Sequence, residues 1–214
     1  MYKRQVAIVI PAFNEEASIF DVVYSVKEYG TAIVVDDAST DKTKQLAEDA
    51  GATVISHNKN KGYDGALNSG FIEADRRDFD VIITFDADGQ HNSKMLKEYI
   101  DNLKEGVDLV LGVRPKPARF SEWIFMFYTR IRFGWKDPLC GMKGYSMKLY
   151  RSQGYFDSYN SVGTELSYYG LKNKYPLRQL NIPIKKRLDT PRFFSIFRSN
   201  IYILKVLVKM VINK

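Results

Sequence analysis

Phe85-Asp86-Ala87-Asp88-Gly89-Gln90-His91 follows the apolar run Val81-Ile82-Ile83-Thr84. That run is entered from the polar segment Arg76–Asp80 and predicts a buried strand. Two carboxylates one residue apart at the C-terminal end of such a strand can converge on one hard cation. In an open α/β sheet, that edge is where ligands bind. A Mg²⁺ or Mn²⁺ ion held by one or two carboxylates shares its other positions with waters and substrate phosphates. The pair therefore points to chemistry on a diphosphate. A solvated acidic turn is the plainer reading, and the rest of the chain decides between the two.

The flanking sequence alternates strand and helix. Strands are expected at Val6–Ile10, Thr31–Val35, Thr53–Ser56, Val81–Phe85 and Asp108–Gly112. Helices are expected at Glu15–Glu28, from a cap at Ser39-Thr40-Asp41 to Ala50, from Lys61-Gly62 to about Ala74, and at Ser93–Lys104. Strands separated by helices imply right-handed crossovers and an α/β fold with a mostly parallel sheet. No Gly-x-Gly-x-x-Gly follows the first strand, so the dinucleotide fingerprint is absent.

Polar residues collect where the strands end: Pro11-Ala12-Phe13-Asn14-Glu15, Asp36-Asp37-Ala38-Ser39-Thr40-Asp41, and the Asp86/Asp88 pair. In a parallel sheet these ends share one edge and can line one crevice. A single acidic turn is usually a helix cap, and Asp41 suits that role as well as ligand binding. Three acidic ends on one edge repel each other unless a cation or a donor-rich partner lies between them.

The 214 residues make one sizeable domain, and 45% hydrophobic content suffices for a core. The first residues run straight into a strand, with no signal peptide expected. A single cysteine, Cys140, excludes an internal disulfide and fits a reducing compartment. As a nucleophile Cys140 has little support, because both histidines, His57 and His91, lie in the other half. Charge is divided unevenly. Residues 1–113 carry 12 Lys/Arg against 20 Asp/Glu, a net of −8, whereas residues 114–214 carry 20 against 5, a net of +15. The second half therefore faces an anionic partner. Nucleic acid is disfavoured, because the basic residues sit among long apolar runs and no nucleic-acid module is present.

Val9-Ile10-Pro11-Ala12-Phe13-Asn14-Glu15-Glu16, Val35-Asp36-Asp37-Ala38-Ser39-Thr40-Asp41 and Asp86-Ala87-Asp88-Gly89-Gln90-His91 together resemble the signature set of family 2 inverting glycosyltransferases with the GT-A fold. The resemblance continues through Asn58-Lys59-Asn60-Lys61-Gly62 and Leu111-Gly112-Val113-Arg114, and covers about residues 5–190. The dolichol-phosphate mannose synthase-like enzymes are the most similar subgroup. The resemblance implies a Rossmann-like sheet and a GT-A domain over residues 1–190. Within it, residues 1–113 form the nucleotide-sugar half and 114–190 the acceptor half. It implies that Pro11, Phe13 and Glu15 hold the base and ribose of a UDP- or GDP-linked sugar, and that Asp37 contacts the nucleotide. Asp86, Ala87 and Asp88 match the diphosphate-binding motif, and Asp86, Asp88 and Gln90 the Mg²⁺ or Mn²⁺ ligands. Arg114 matches a basic residue facing the acceptor. The strand expected at Ile182-Pro183-Ile184 leads to Arg187 or Arg192, which match the arginine of a loop closing over the phosphates. Asp137, in Lys136-Asp137-Pro138, resembles the catalytic aspartate region but also suits a turn.

The acceptor classes implied are a polyprenyl phosphate, already ionised at neutral pH, and a hydroxyl of a lipid-linked saccharide in cell-surface polysaccharide synthesis, which needs a general base. No stretch of 18 uncharged apolar residues is present, so a spanning helix is not expected. Two segments nonetheless suit a membrane surface. Phe120–Trp135 holds seven aromatics in 16 residues among Arg119, Arg130, Arg132 and Lys136. Phe193–Ile212 is apolar with a stripe of Arg198, Lys205 and Lys209. Residues 191–214 are expected to form an amphipathic helix in the headgroup plane, because their location after the catalytic domain leaves little core to cover. The expected setting is cytoplasmic, on the inner face of the cell membrane, with room for a homo-oligomer.

Overall fold

The computed structural model describes residues 5–117, 119–184 and 196–212. Among the described residues there are seven strands: β1 (Val6–Ala12), β2 (Thr31–Asp36), β3 (Thr53–Ser56), β4 (Val81–Thr84), β5 (Leu109–Val113), β6 (Lys143–Ser146) and β7 (Leu177–Asn181). The same residues form eight helices: α1 (Ile19–Val26), α2 (Thr43–Asp49), α3 (Gly62–Arg76), α4 (Met95–Lys104), α5 (Phe120–Phe133), α6 (Met147–Gln153), α7 (Glu165–Lys172) and α8 (Ile196–Ile212). One sheet runs β3-β2-β1-β4-β6-β5-β7, with β6 antiparallel to both neighbours and all other pairs parallel. The strand order reverses between β1 and β4, the crevice where open α/β sheets take their ligands.

Helices on both faces explain the unbroken apolar runs of the central strands. Ile8, Ile10 and Val34 face one core with α1, α2 and α4. Ala7, Val9 and Ile33 face the other with α3 and the later helices. Gly70 lets α3 approach β1, since a Cβ there would lie 2.3 Å from Val9 Cγ1.

Several expectations shift. Regular helix in the first crossover starts at Ile19, after Asn14 takes a left-handed φ of 54° and the 15–18 turn closes. The expected strand Ile182–Ile184 lies one element too late. The ladder strand is β7, and Ile184 makes only an isolated bridge to His91. Pro183 explains the displacement, because it has no N–H to extend a ladder. Strand β6, Lys-Gly-Tyr-Ser, carries no apolar run, yet all four residues are buried.

The ground for treating residues 191–214 as apart from the domain also changes. Ile203, Val206 and Met210 of α8 are buried in the second core, and α8 packs on α5. The opposite side of α8 exposes Ile201, Lys205, Val208 and Ile212. Among the described residues, no helix is long and apolar enough to cross a membrane.

Candidate active site

The first two strand ends are stitched together before any ligand arrives. Asn14 N–H donates to Ser39 Oγ at 2.8 Å, and Thr40 N–H donates to Asn14 Oδ1 at 2.8 Å. Glu15 N–H donates to Thr43 Oγ1 at 2.7 Å. Asp41 accepts from Thr43 N–H at 2.9 Å, and Lys42 takes the N-cap position of α2 in place of the expected Ser39-Thr40-Asp41. Phe13 stays partly exposed at the end of β1, beside Pro11 and the buried Glu15.

Asp37 is buried and accepts three hydrogen bonds. His57 Nδ1 and Lys61 N donate to Oδ1 at 2.7 and 2.8 Å, and Gly62 N donates to Oδ2 at 2.8 Å. A carboxylate only accepts, so Nδ1 of His57 carries a proton. Asp36 accepts from Ser39 N–H. Backbone amides and His57 thus supply the donors that the crowded acidic edge requires. Among the described residues, no three His, Cys, Asp or Glu side chains are grouped to hold a metal. Asp37 fixes the opening of α3, and α3 in turn presents Tyr63.

Asp86, just past the end of β4, is set by three contacts. His91 Nε2 lies 2.9 Å from Oδ2, and the Tyr63 hydroxyl donates to Oδ1 at 3.4 Å. The carboxylate also lies against Gly141, where a Cβ would sit 2.1 Å from Oδ2. Only glycine permits that approach. Burial works against the charged form of Asp86, but the bonds from His91 and Tyr63 and the nearby Arg114 charge outweigh it and hold the carboxyl below its usual range. Asp88 Oδ1 accepts from Gln90 N–H at 3.0 Å, closing the motif's turn. Ala87 is buried, and its carbonyl accepts from Ser18 Oγ at 2.7 Å. Two carboxylates and an amide in one tight turn are hard oxygen donors of the type that holds Mg²⁺ or Mn²⁺ jointly with a diphosphate.

Arg114, beyond β5, joins the same pocket. It grips Asp137 bidentately, Nε to Oδ2 at 2.7 Å and Nη2 to Oδ1 at 2.9 Å. Its backbone N–H also donates to Asp137 Oδ2 at 3.0 Å. Asp137 is buried, with both oxygens engaged. Burial opposes the Arg114 charge, but the Asp137 and Glu122 carboxylates outweigh it and raise the guanidinium's pKa. Cys140 is buried, and its thiol is pushed up to about 12, chiefly by burial and then by the Asp137 charge. It is an inert thiol.

A cavity of about 170 Å³ opens beside Asp86 and Arg114. Its walls include Tyr63, Arg119, Glu122 and Val162, and α8 closes it with Tyr202 and its neighbours. Sequence reasoning assigns no site role to Tyr63, His91, Glu122 or Tyr202, and places Arg119 only beside the aromatic segment suited to a membrane surface. The available signal was Glu122, the only carboxylate in a helix of aromatics and arginines. Arg187 and Arg192 lie outside the described residues.

Comparison with known proteins matches this arrangement. The family model described as glycosyl transferase family 2 fits residues 7–201. The chain belongs to glycosyl transferase family 2. This glycosyltransferase is 31% identical over 229 residues to an uncharacterised protein of Methanocaldococcus jannaschii, covering 99% of the chain and 93% of that relative. It is 34% identical over 145 residues to the UDP-N-acetylglucosamine–dolichyl-phosphate N-acetylglucosaminyltransferase of Methanococcus voltae, covering 56% of the chain and 57% of that relative. Among solved structures it is similar to glucosyl-3-phosphoglycerate synthase of Mycobacterium tuberculosis in complex with Mn²⁺, UDP and glucosyl-3-phosphoglycerate. The TM-score is 0.77 at 21% identity, over 97% of this chain and 80% of that one. That likeness identifies the GT-A fold.

Proposed function

We propose that this glycosyltransferase moves a hexose, with inversion, from a UDP- or GDP-linked donor to a polyprenyl phosphate at a membrane surface, in the manner of dolichol-phosphate mannose synthase-like enzymes. The carrying observation is the state of Asp137. A hydroxyl acceptor needs a base within hydrogen-bond reach, and both oxygens of Asp137 are instead committed to Arg114. A phosphate acceptor arrives ionised and needs no base. The dolichyl-phosphate relative supports the same class of acceptor.

Asp86, Asp88 and Gln90 are the residues to hold Mg²⁺ or Mn²⁺, which supplies positive charge to the departing nucleoside diphosphate. The synthase solved with Mn²⁺ and UDP supports this assignment. Tyr63, His91 and Gly141 fix Asp86 in place. Pro11, Phe13, Glu15 and Asp37, on the neighbouring strand ends, form the nucleotide side. The cavity beside Asp86 takes the acceptor on the opposite side, where attack inverts the anomeric centre. Arg187 and Arg192 belong to this reading as phosphate-closing residues.

The test is Asp137→Asn with a short polyprenyl phosphate. A general base contributes roughly 10²–10⁴-fold, so a loss of turnover below about 100-fold, with donor affinity unchanged, is expected. A parent inactive with the polyprenyl phosphate but active on a saccharide hydroxyl, with Asp137→Asn losing more than that on the hydroxyl, would favour a saccharide hydroxyl as acceptor.

A further inference from the structure

Glu122 stands in the first turn of α5 with a side chain only 2% exposed. Its Oε2 accepts from Arg114 Nη2 at 2.9 Å, and its Oε1 accepts from Arg119 Nη1 at 3.0 Å. One anion with two oxygens thus bridges two guanidinium groups on the wall of the cavity. That is also how arginine pairs take a phosphate, through charge-assisted bonds to separate oxygens. Asp137 also grips Arg114, so each of the two arginines already has a carboxylate partner before an anion arrives. These bonds engage Nε and Nη2 of Arg114 and Nη1 of Arg119. The lining of the cavity also includes the apolar Leu139, Val162 and Ile203 and the Tyr202 ring. Tyr202 is held by donation to the Asn160 carbonyl at 2.9 Å. The cavity therefore suits an anionic head with an apolar neck.

We propose that Glu122 is a resident counter-ion occupying the acceptor-phosphate position between Arg114 and Arg119, and that it selects acceptors by charge. A phosphomonoester carries about −1.5 to −2 at neutral pH and three strong acceptor oxygens. It outcompetes a single carboxylate for the arginine pair, whereas a neutral head does not. Glu122 thereby keeps the arginines apart from solvent anions of lower charge until the acceptor arrives. This inference rests on the polyprenyl phosphate reading given above. A purely bracing Glu122 predicts the opposite sign, since its loss would disorder the arginines and weaken anion binding.

The experiment is calorimetric titration of the full chain, without donor or metal, with farnesyl phosphate and separately with inorganic phosphate. Glu122→Gln is expected to bind farnesyl phosphate about three- to tenfold more tightly than the parent, a gain in binding free energy of that ratio. Arg119→Gln, at the rim of the cavity, is expected to bind it at least about tenfold more weakly. Unchanged or weaker binding by Glu122→Gln would overturn the proposal. Should that variant fail to fold, Arg119→Gln decides alone, and unchanged affinity there overturns it. A Glu122→Gln gain with inorganic phosphate, with no affinity for farnesyl phosphate in either protein, would uphold Glu122 as counter-ion and refute the lipid acceptor.

Discussion

Asp64 shows how the walls of the site are kept in shape by a carboxylate that does no chemistry. It sits on α3 beside Tyr63 and accepts from Val162 N–H at 3.0 Å and Gly163 N–H at 2.5 Å. Val162 holds a φ of 57°, a costly conformation for a β-branched residue, and faces the cavity. Burial, and next the Asp157 charge, push the Asp64 carboxyl from 3.8 up to about 7, against the pull of the two amides and Lys143. Folded protein therefore retains a proton that the unfolded chain releases. The associated stability is full below about pH 4 and is lost as pH rises through about 7. Asp64→Asn should remove this dependence. The stability difference between parent and variant, from denaturant unfolding at pH 5 and pH 7.5, is expected to move against the parent as pH rises. A difference constant across that range would contradict the assignment. Lys143 faces the same loop, donating to the Gly163 carbonyl at 2.5 Å, and burial lowers it to about 8. Its own contribution varies above the tested range.

Among elements, α5 and α8 share the exposed apolar surface differently from what their sequences suggest. Four large apolar residues of α5, Phe120, Trp123, Phe127 and Ile131, are each at least 60% exposed and recur at helical spacing along one side. Arg130 and Arg132 are exposed nearby. That is the composition of an interfacial helix, with apolar insertion and a salt-sensitive basic contribution. Removing α8 would strip Ile203, Val206 and Met210 from the core, so truncation confounds anchoring with folding. Replacing Trp123 and Phe127 together by Ser touches only exposed surface. It should leave thermal unfolding unchanged and release most of the protein from anionic vesicles in sedimentation. Full retention on vesicles would move the docking face to α8.

The central strands were legible because residues buried on both faces must be apolar, and their ends were legible because polar residues interrupt those runs. Strand β6 was hidden, since its burial comes from β4 and β5 on either side and from Lys143 finding an internal carbonyl, not from apolar composition. The role of α8 was hidden for a related reason. A helical wheel shows one broad apolar side, but not that part of it closes a cavity whose other walls come from segments as distant in sequence as those of Tyr63, Asp86 and Arg114. The acidic pair Asp86/Asp88 was legible as a motif. That Asp137 is locked by Arg114, and that Glu122 spans two arginines, depends on contacts between segments far apart in the fold.

At the scale of the whole molecule, the charge division follows the site. The acidic first half supplies the sheet edge with Asp37, Asp86 and Asp88. The basic second half supplies Arg114, Arg119 and the exposed face of α5 and α8, which suits an anionic lipid acceptor at a charged surface. The most direct measurement is release of nucleoside diphosphate from a panel of UDP- and GDP-sugars, with and without a short polyprenyl phosphate, in Mn²⁺ or in excess EDTA. The predicted result is release from one donor that rises at least about tenfold with the polyprenyl phosphate, disappears in EDTA, and yields a sugar of inverted anomeric configuration. Release that is indifferent to the polyprenyl phosphate but stimulated by a saccharide hydroxyl, or full activity in EDTA, would contradict it.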